Sequence, residues 1–509
     1  MRSSHTEGMD AQAFRRLGYQ LVDWIADYRE NLERLPVMSQ AKPGEIRAAF
    51  PDHPPLQGGR MAQALAALER DVLPGITHWN HPSFFAYFPS NTSYASILGD
   101  LAASGLGAQG MSWQTSPAAT EVEEVVMDWL RQMVGLSPAF TGVIHDTAST
   151  ATFTALLCAR EKGSDFSQNE GGLQTRGLGS AQAAGGGQRG DAERAEASGR
   201  SPLSGSGGEA PLVVYASDQG HSSIEKAALL AGFGRSFLRL IPTDDAHAIR
   251  LDLLQAAIEK DVEIGLRPCA LVACVGTTGT TALDPVAALA DLAEKHGMWL
   301  HVDAALAGTA MVLPECRWMW AGIERADSLV FNPHKWMGVG FDLSAYYVRD
   351  PQHLIRVMST NPSYLRTAQD GQASNFRDWH IQLGRRFRAL KLWFYLMDVG
   401  VEGLQARLRR DLEHAQWLKA QVDAAPDWER LAPVPLQTVC LRHLKPGLDE
   451  AALAAHNLEL ARRVNDSGQA YLTPSMLKGT QMLRVSIGAE TTERRHVEAL
   501  WEALRLAAQ

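Results

Sequence analysis

Between residues 9 and 32 the apolar side chains Phe14, Leu17, Leu21, Val22, Trp24, Ile25 and Tyr28 recur close to every 3.6 positions, which predicts an amphipathic helix. A Pro-rich connection, KPGEIRAAFPDHPP, leads to a second helical stretch over 61–72, stopped by Pro74 and Gly75. An arm over residues 1–85 with one apolar face is short for a core of its own, so it is expected to pack on another surface, such as a second subunit. SPAATEVEEVVMDWL carries a hydroxyl cap ahead of a periodic run and predicts a helix from Pro117. After the short apolar stretch GVIHD, Thr147, Ala148 and Ser149 open another.

From residue 212 the period alternates. Apolar runs of strand length lie over 212–216, 270–277, 298–303, 328–332 and 343–348, and helical patterns follow SDQGH and cover 285–296. Strands separated by such helices predict an α/β domain with a mostly parallel sheet over 86–390. Two long helices, the second with a basic face read as solvated, then lead into strands over 438–441 and 482–487. Residues 391–509 are therefore expected to form a smaller α+β domain. Two segments break the pattern. Residues 161–209 are Gly, Ser, Ala and charge with almost no large apolar residue, which predicts a flexible surface insertion. Residues 355–379 show no clean period and read as a long loop of the functional or mobile kind.

Composition changes this picture little. With 45% hydrophobic residues in 509, the chain can fill more than one core. Its 48 basic and 57 acidic residues leave a net charge of −9, which gives no footprint for nucleic acid or an anionic membrane surface. Five cysteines without a CxxC spacing suggest neither a disulfide framework nor a zinc site, and point to a reducing cytoplasm. No stretch reads as a signal peptide or a membrane span, so no membrane partner is expected.

The candidate chemistry lies in WLHVDAALAGTAMVLPECRWMWAGIERADSLVFNPHKW, residues 299–336. Asp303 stands at the end of one apolar run, and Lys335 just beyond the next. Ligands of open α/β sheets bind at the carboxyl ends of strands, so both side chains can face one ligand. Pyridoxal phosphate uses such a pair: a lysine for the Schiff base and a carboxylate that keeps the ring nitrogen protonated. A turn-capping Asp and a solvated Lys are the plain structural alternatives. The hydroxyls at 147–149 could present backbone N–H groups to a phosphate, although Ser and Thr cap many helices. The aromatic text WNHPSFFAYFPSNTSY suits either a pocket wall or ordinary core.

Taken in order, FFAYFPS, SPAATE near MDWL, SDQGHSS, HVDAALAG, FNPHKW, NPSYL and LGRRFR resemble the group II pyridoxal-phosphate decarboxylases, and among them the aromatic-L-amino-acid decarboxylases. The resemblance spans nearly the whole chain. It implies fold type I, the aspartate-aminotransferase-like fold, in a homodimer with sites at the subunit interface and a small-molecule amino acid as substrate. Lys335 is then the cofactor lysine, Asp303 the partner of the ring nitrogen, and His221 the ring-stacking histidine near the substrate carboxylate. Thr278 and Ala305 match contacts beside the ring, and Ala148, Ser149 and Asn332 phosphate contacts; His334 matches a position that either lines the site or packs beside it.

Tyr364 matches the loop residue associated with protonating the substrate α-carbon, a role needing a proton donor on a closing lid. Relatives with Phe there release an aldehyde, so Tyr364 implies decarboxylation to an amine. For the substrate, Trp79, Tyr87, Phe88, Pro89 and Ser90 match the stretch that accepts an aromatic ring. Gly384 stands where some relatives carry Ser, leaving room for a large ring such as indole. Met111 replaces a usually aromatic residue and Gln109 a usually aliphatic one, which leaves the ring preference open among tryptophan, tyrosine, dihydroxyphenylalanine and phenylalanine. The competing readings are an aldehyde synthase on the same scaffold, a decarboxylase of another amino acid such as histidine, and a cofactor-binding protein without turnover.

Overall fold

The computed structural model describes residues 8–166, 210–360 and 371–509. The chain divides into two units, one made of Met1–Asn91 with Ala406–Gln509 and the other of Thr92–Gln405.

The second unit is organised by a seven-stranded sheet. Its strands are β1 (Thr141–His145), β2 (Leu212–Ser217), β3 (Leu238–Ile241), β4 (Arg267–Cys274), β5 (Trp299–Asp303), β6 (Ser328–Phe331) and β7 (Ser344–Val348), in the spatial order β1-β7-β6-β5-β4-β2-β3. Neighbours from β3 to β6 pair in parallel, while β7 runs antiparallel to both β6 and β1. The continuous apolar runs reflect burial on both faces: every residue of β5, β6 and β7 is buried. Helix Ala148–Gly163 lays Ala148, Ala151, Ala155 and Ala159 into the core of this sheet, and a stripe of methyl groups lets the helix backbone approach closely. This is the mostly parallel sheet of fold type I.

Several expectations need correction. β4 spans Arg267–Cys274 rather than 270–277, because Gly276 takes φ 83° and Val275 already pairs in an isolated bridge with Leu283. β1 and β3 carried no clear strand signal: β1 contains Thr141 and Gly142, and β3 is a four-residue edge strand. The stretch expected as loop from 355 begins inside helix Pro351–Met358, which Asp350 caps by accepting from Gln352 N and His353 N. Glu161, placed at the start of the insertion, belongs to helix Ala148–Gly163, where its fully buried carboxylate accepts from the Arg160 guanidinium at 2.7 Å. Residues 167–209 of that insertion lie outside the described residues. The two long helices form the run Ala389–Ala424, broken at Gly400 by φ 64°.

In the first unit, helix Ala11–Glu30 starts at Asp10, whose carboxylate accepts from Ala13 N at 2.7 Å. None of its residues is buried, and Phe14 and Tyr19 are 60% and 70% exposed. An antiparallel sheet in the order β10-β11-β9-β8 comprises β8 (Trp428–Arg430), β9 (Thr438–His443), β10 (Thr473–Leu477) and β11 (Thr480–Ser486). Helices Glu450–Asp466 and Arg494–Ala508 cover it through Leu460, Val464, Leu500 and Leu504. The basic face expected to be solvated is partly interior: Arg407 is buried 3.9 Å from the fully buried Asp411, to which Arg410 also donates at 3.0 Å. Among the described residues no helix is long and apolar enough to cross a membrane.

Candidate active site

Topology alone gathers the candidate residues of the second unit at one edge of its sheet. β1, β2, β4, β5 and β6 all point the same way, since β1 and β6 both oppose β7. Just beyond their carboxyl ends come, in that order, Ala148 and Ser149, His221, Thr278, Asp303 with Ala305, and Asn332 with Lys335. Ligands of open α/β sheets bind along such an edge.

Asp303 ends β5 opposite Cys274 and Val330. It is 8% exposed, and its Oδ1 accepts from Ala305 N at 3.0 Å. Among the described residues no cationic side chain forms an ion pair with it. A buried carboxylate with one backbone donor is costly without a cationic partner, and a protonated pyridine nitrogen is a partner of the required kind. On this observation the residues fit pyridoxal phosphate.

Lys335 lies half-buried in the single π-helical turn Pro333–Met337, with its backbone N–H donating to Asn332 O at 2.9 Å. His221 is the N-cap of helix Ser222–Leu230, not a residue of its first turn. Its Nδ1 accepts from Ser223 N at 3.1 Å and lies 2.8 Å from Ser223 Oγ, which leaves Nε2 as the ring's N–H. Burial lowers the His221 pKa; the charge of Asp303 works against this and that of Lys335 with it, so the three side chains share one electrostatic neighbourhood. His334 is buried and accepts from Leu343 N through Nδ1 at 3.1 Å. Burial, then the Lys335 charge, pushes its pKa down to about 3, so the ring is neutral.

Beyond β1, Thr147 caps helix Ala148–Gly163 by accepting from Thr150 N. Among the described residues the N–H groups of Ala148 and Ser149 meet no acceptor, the arrangement that receives an anion at a helix N-terminus. Ser344 Oγ donates to Asn332 Oδ1 at 2.6 Å and lies 3.4 Å from Asp146 O. The Asn332 amide nitrogen is thereby turned away as a donor, close to the start of the helix. Thr278 is exposed in a loop that braces itself, with Thr281 N donating to Thr277 O at 2.8 Å and Ala282 N to Thr277 Oγ1 at 3.0 Å.

Three supporting residues escaped the sequence reading. Ser344 orients Asn332. Asp284, buried, accepts from Cys274 N and Ile249 N, each at 2.8 Å, and so fixes the end of β4; burial pushes its pKa up to about 6. His301 lies two residues before Asp303 on the same strand face, 2.9 Å from Ser328 Oγ and 3.3 Å from Thr152 Oγ1 on helix Ala148–Gly163. Only His301 left a signal, the HxD spacing on a strand.

The ring-binding candidates fall in two places. In the first unit Trp79 stacks on Tyr87 at 5.5 Å and lies 4.7 Å from Phe84, and Tyr471 meets Tyr87 edge-on. The Arg484 guanidinium sits 4.5 Å over Phe88 and donates to Tyr87 O, holding the segment; Pro89 is buried and Ser90 half-buried. In the second unit Gly384 is exposed, and Met111 O accepts from Arg377 N at 2.9 Å. Arg385 anchors this region from within: its guanidinium donates to Glu123 Oε1 at 2.6 Å and to Ile144 O at 2.8 Å, and Glu123 Oε1 also accepts from Ile144 N. Glu123→Gln would leave a buried guanidinium uncompensated, and is expected to cost about 3–5 kcal/mol, read as a lowered urea midpoint. Tyr364 lies outside the described residues.

The sequence profile of a family described as the pyridoxal-dependent decarboxylase conserved domain matches residues 43–176 and 193–444. A phenylacetaldehyde synthase of Arabidopsis thaliana is 38% identical over 507 residues, which are 98% of this chain and 96% of that one. An L-tyrosine/L-DOPA decarboxylase 2 of Lophophora williamsii is 36% identical, over 98% of this chain and 94% of its own. The crystal structure of Oryza sativa TDC with PLP and tryptamine superposes with a TM-score of 0.89 at 34% identity, covering 99% of both chains.

Proposed function

This chain belongs to the pyridoxal-dependent decarboxylase family, and from that premise we propose that it converts an aromatic L-amino acid to the corresponding arylalkylamine and carbon dioxide. Pyridoxal phosphate is its cofactor. When bound, that group supplies an electron sink joined to the substrate α-carbon, which lets the bond to the carboxylate break.

The observation that carries the reading is Asp303, a buried carboxylate whose charge is felt at His221 together with that of Lys335. Asp303 would hold the ring nitrogen in its protonated form, and Lys335 would supply the amine that holds the cofactor covalently. His221, a neutral imidazole fixed by Ser223, would stack on the ring, with its Nε2–H as the one remaining donor toward the substrate carboxylate. The N–H groups of Ala148 and Ser149 and the amide of Asn332 would receive the phosphate. Thr278 and Ala305 would flank the ring. Tyr364 then delivers a proton to the substrate α-carbon.

The aromatic substrate class is supported by relatives named for tyrosine, L-DOPA and tryptophan, and by the aromatic text at 79–90. Exposed apolar side chains on helix Ala11–Glu30 and at Leu98, Leu101 and Leu106 of helix Tyr94–Leu106 support a homodimer in which Met111 and Gly384 complete the partner's site. Five buried free cysteines support a reducing, cytoplasmic setting.

A panel of aromatic amino acids, with amine, carbon dioxide and oxygen all quantified, tests the reaction. Amine and carbon dioxide are expected in equal amounts without oxygen uptake. Aldehyde, ammonia and peroxide as main products would overturn the proposal in favour of the synthase chemistry that one relative's name carries.

A further inference from the structure

The carboxamide of Gln109 has a determined polarity. The backbone N–H of Arg385 donates to Gln109 Oε1 at 2.6 Å, and in return Gly110 N donates to Arg385 O at 3.0 Å. An N–H group can only face the amide oxygen, so the bond from Arg385 N fixes which end of the carboxamide is left over, while the backbone bond holds the two segments together. That end is the NH2 group. A Cβ built at Gly384 would lie 3.3 Å from Gln109 Nε2 and 3.7 Å from Oε1, so the amide nitrogen borders the space that a side chain at 384 would fill. Both residues are exposed, and among the described residues Nε2 meets no acceptor.

We infer that Gln109 determines ring specificity by donating a hydrogen bond to an acceptor at the far end of the substrate ring, and that the favoured substrates are hydroxyphenyl amino acids of the tyrosine type. The inference rests on the reading that Gly384 faces the ring. A phenolic oxygen carries lone pairs that accept from an amide N–H, whereas an indole N–H is a donor only and phenyl offers neither. The missing side chain at Gly384 leaves the oxygen its room, and Gln109 supplies its partner. Tryptophan fits this space by volume but meets a donor with a donor. A site that holds a polar group ready rejects rings that cannot use it.

The test compares kcat/KM for tyrosine, phenylalanine and tryptophan in the cofactor-loaded protein, using ratios within each variant so that general losses cancel. Gln109→Leu removes the donor and is expected to lower the tyrosine-to-phenylalanine ratio by roughly three- to tenfold. Gln109→Glu keeps an oxygen on Arg385 N and presents an acceptor outward, so the tryptophan-to-phenylalanine ratio is expected to rise by a similar factor. Gly384→Ser serves as the reference for the region. If it shifts any of these ratios while both Gln109 variants leave them unchanged, the inference about Gln109 is overturned alone. If all three variants leave every ratio unchanged, the assignment of this segment to the ring falls with it.

Discussion

Lys335→Ala is expected to yield a folded protein that holds no covalent cofactor and makes no amine above background. The turn Pro333–Met337 keeps its backbone bond from Lys335 N to Asn332 O and the buried Pro333, His334, Trp336 and Met337 around it. What disappears is the amine. Without it the visible absorbance of the bound cofactor changes, and borohydride reduction no longer attaches the cofactor to the peptide containing residue 335. Loss of the covalent hold and of its proton transfers is expected to lower turnover by roughly 10²–10⁴-fold or more. Lys335→Arg separates the two roles the residue could have. A guanidinium keeps the charge beside His221 and Asp303 but stays protonated, so it forms no imine. If charge alone mattered, the arginine variant would retain turnover, and the assignment of Lys335 would fail.

The sheet was largely legible because β2, β5, β6 and β7 are buried on both faces and therefore written as unbroken apolar runs. Asp303 and Lys335 stood out for the same reason, being charges where such runs stop. β1 and β3 did not stand out, since an edge position or a Gly142 in a five-residue strand weakens the pattern that burial imposes. The site's supports were hidden for a different reason: their partners are distant in sequence. Arg385 finds Glu123 across 262 residues, and Gln109 finds the Arg385 backbone across 276. Local periodicity carries no trace of such pairs. Ser344 looks like any strand serine until Asn332 is beside it at 2.6 Å. The direction in which the Gln109 amide points is likewise a property of the folded chain, although the presence of a glutamine there was plain.

Tyr364→Phe is expected to divert the product from amine toward aldehyde without abolishing carbon dioxide release. On the proposed reading, lysine, aspartate and histidine at 335, 303 and 221 would account for breaking the bond to the carboxylate, a step common to both outcomes. They do not decide what becomes of the electron-rich α-carbon afterwards. A phenol positioned to protonate it gives the amine; a phenyl ring of the same shape excludes water equally well but has no proton to give. Loss of one positioned general acid is worth roughly 10²–10⁴-fold. Amine formation should fall by that order, leaving time for molecular oxygen to react at the same carbon. One amino acid, one oxygen and one water would then give one aldehyde, one carbon dioxide, one ammonia and one hydrogen peroxide. Oxygen uptake should therefore rise from none to match the carbon dioxide released, with the absorbance of the bound cofactor unchanged. Should Tyr364→Phe instead form amine at the parent rate with no oxygen uptake, the proton must come from elsewhere, and the feature separating this chain from the aldehyde synthases would have to be sought outside residue 364.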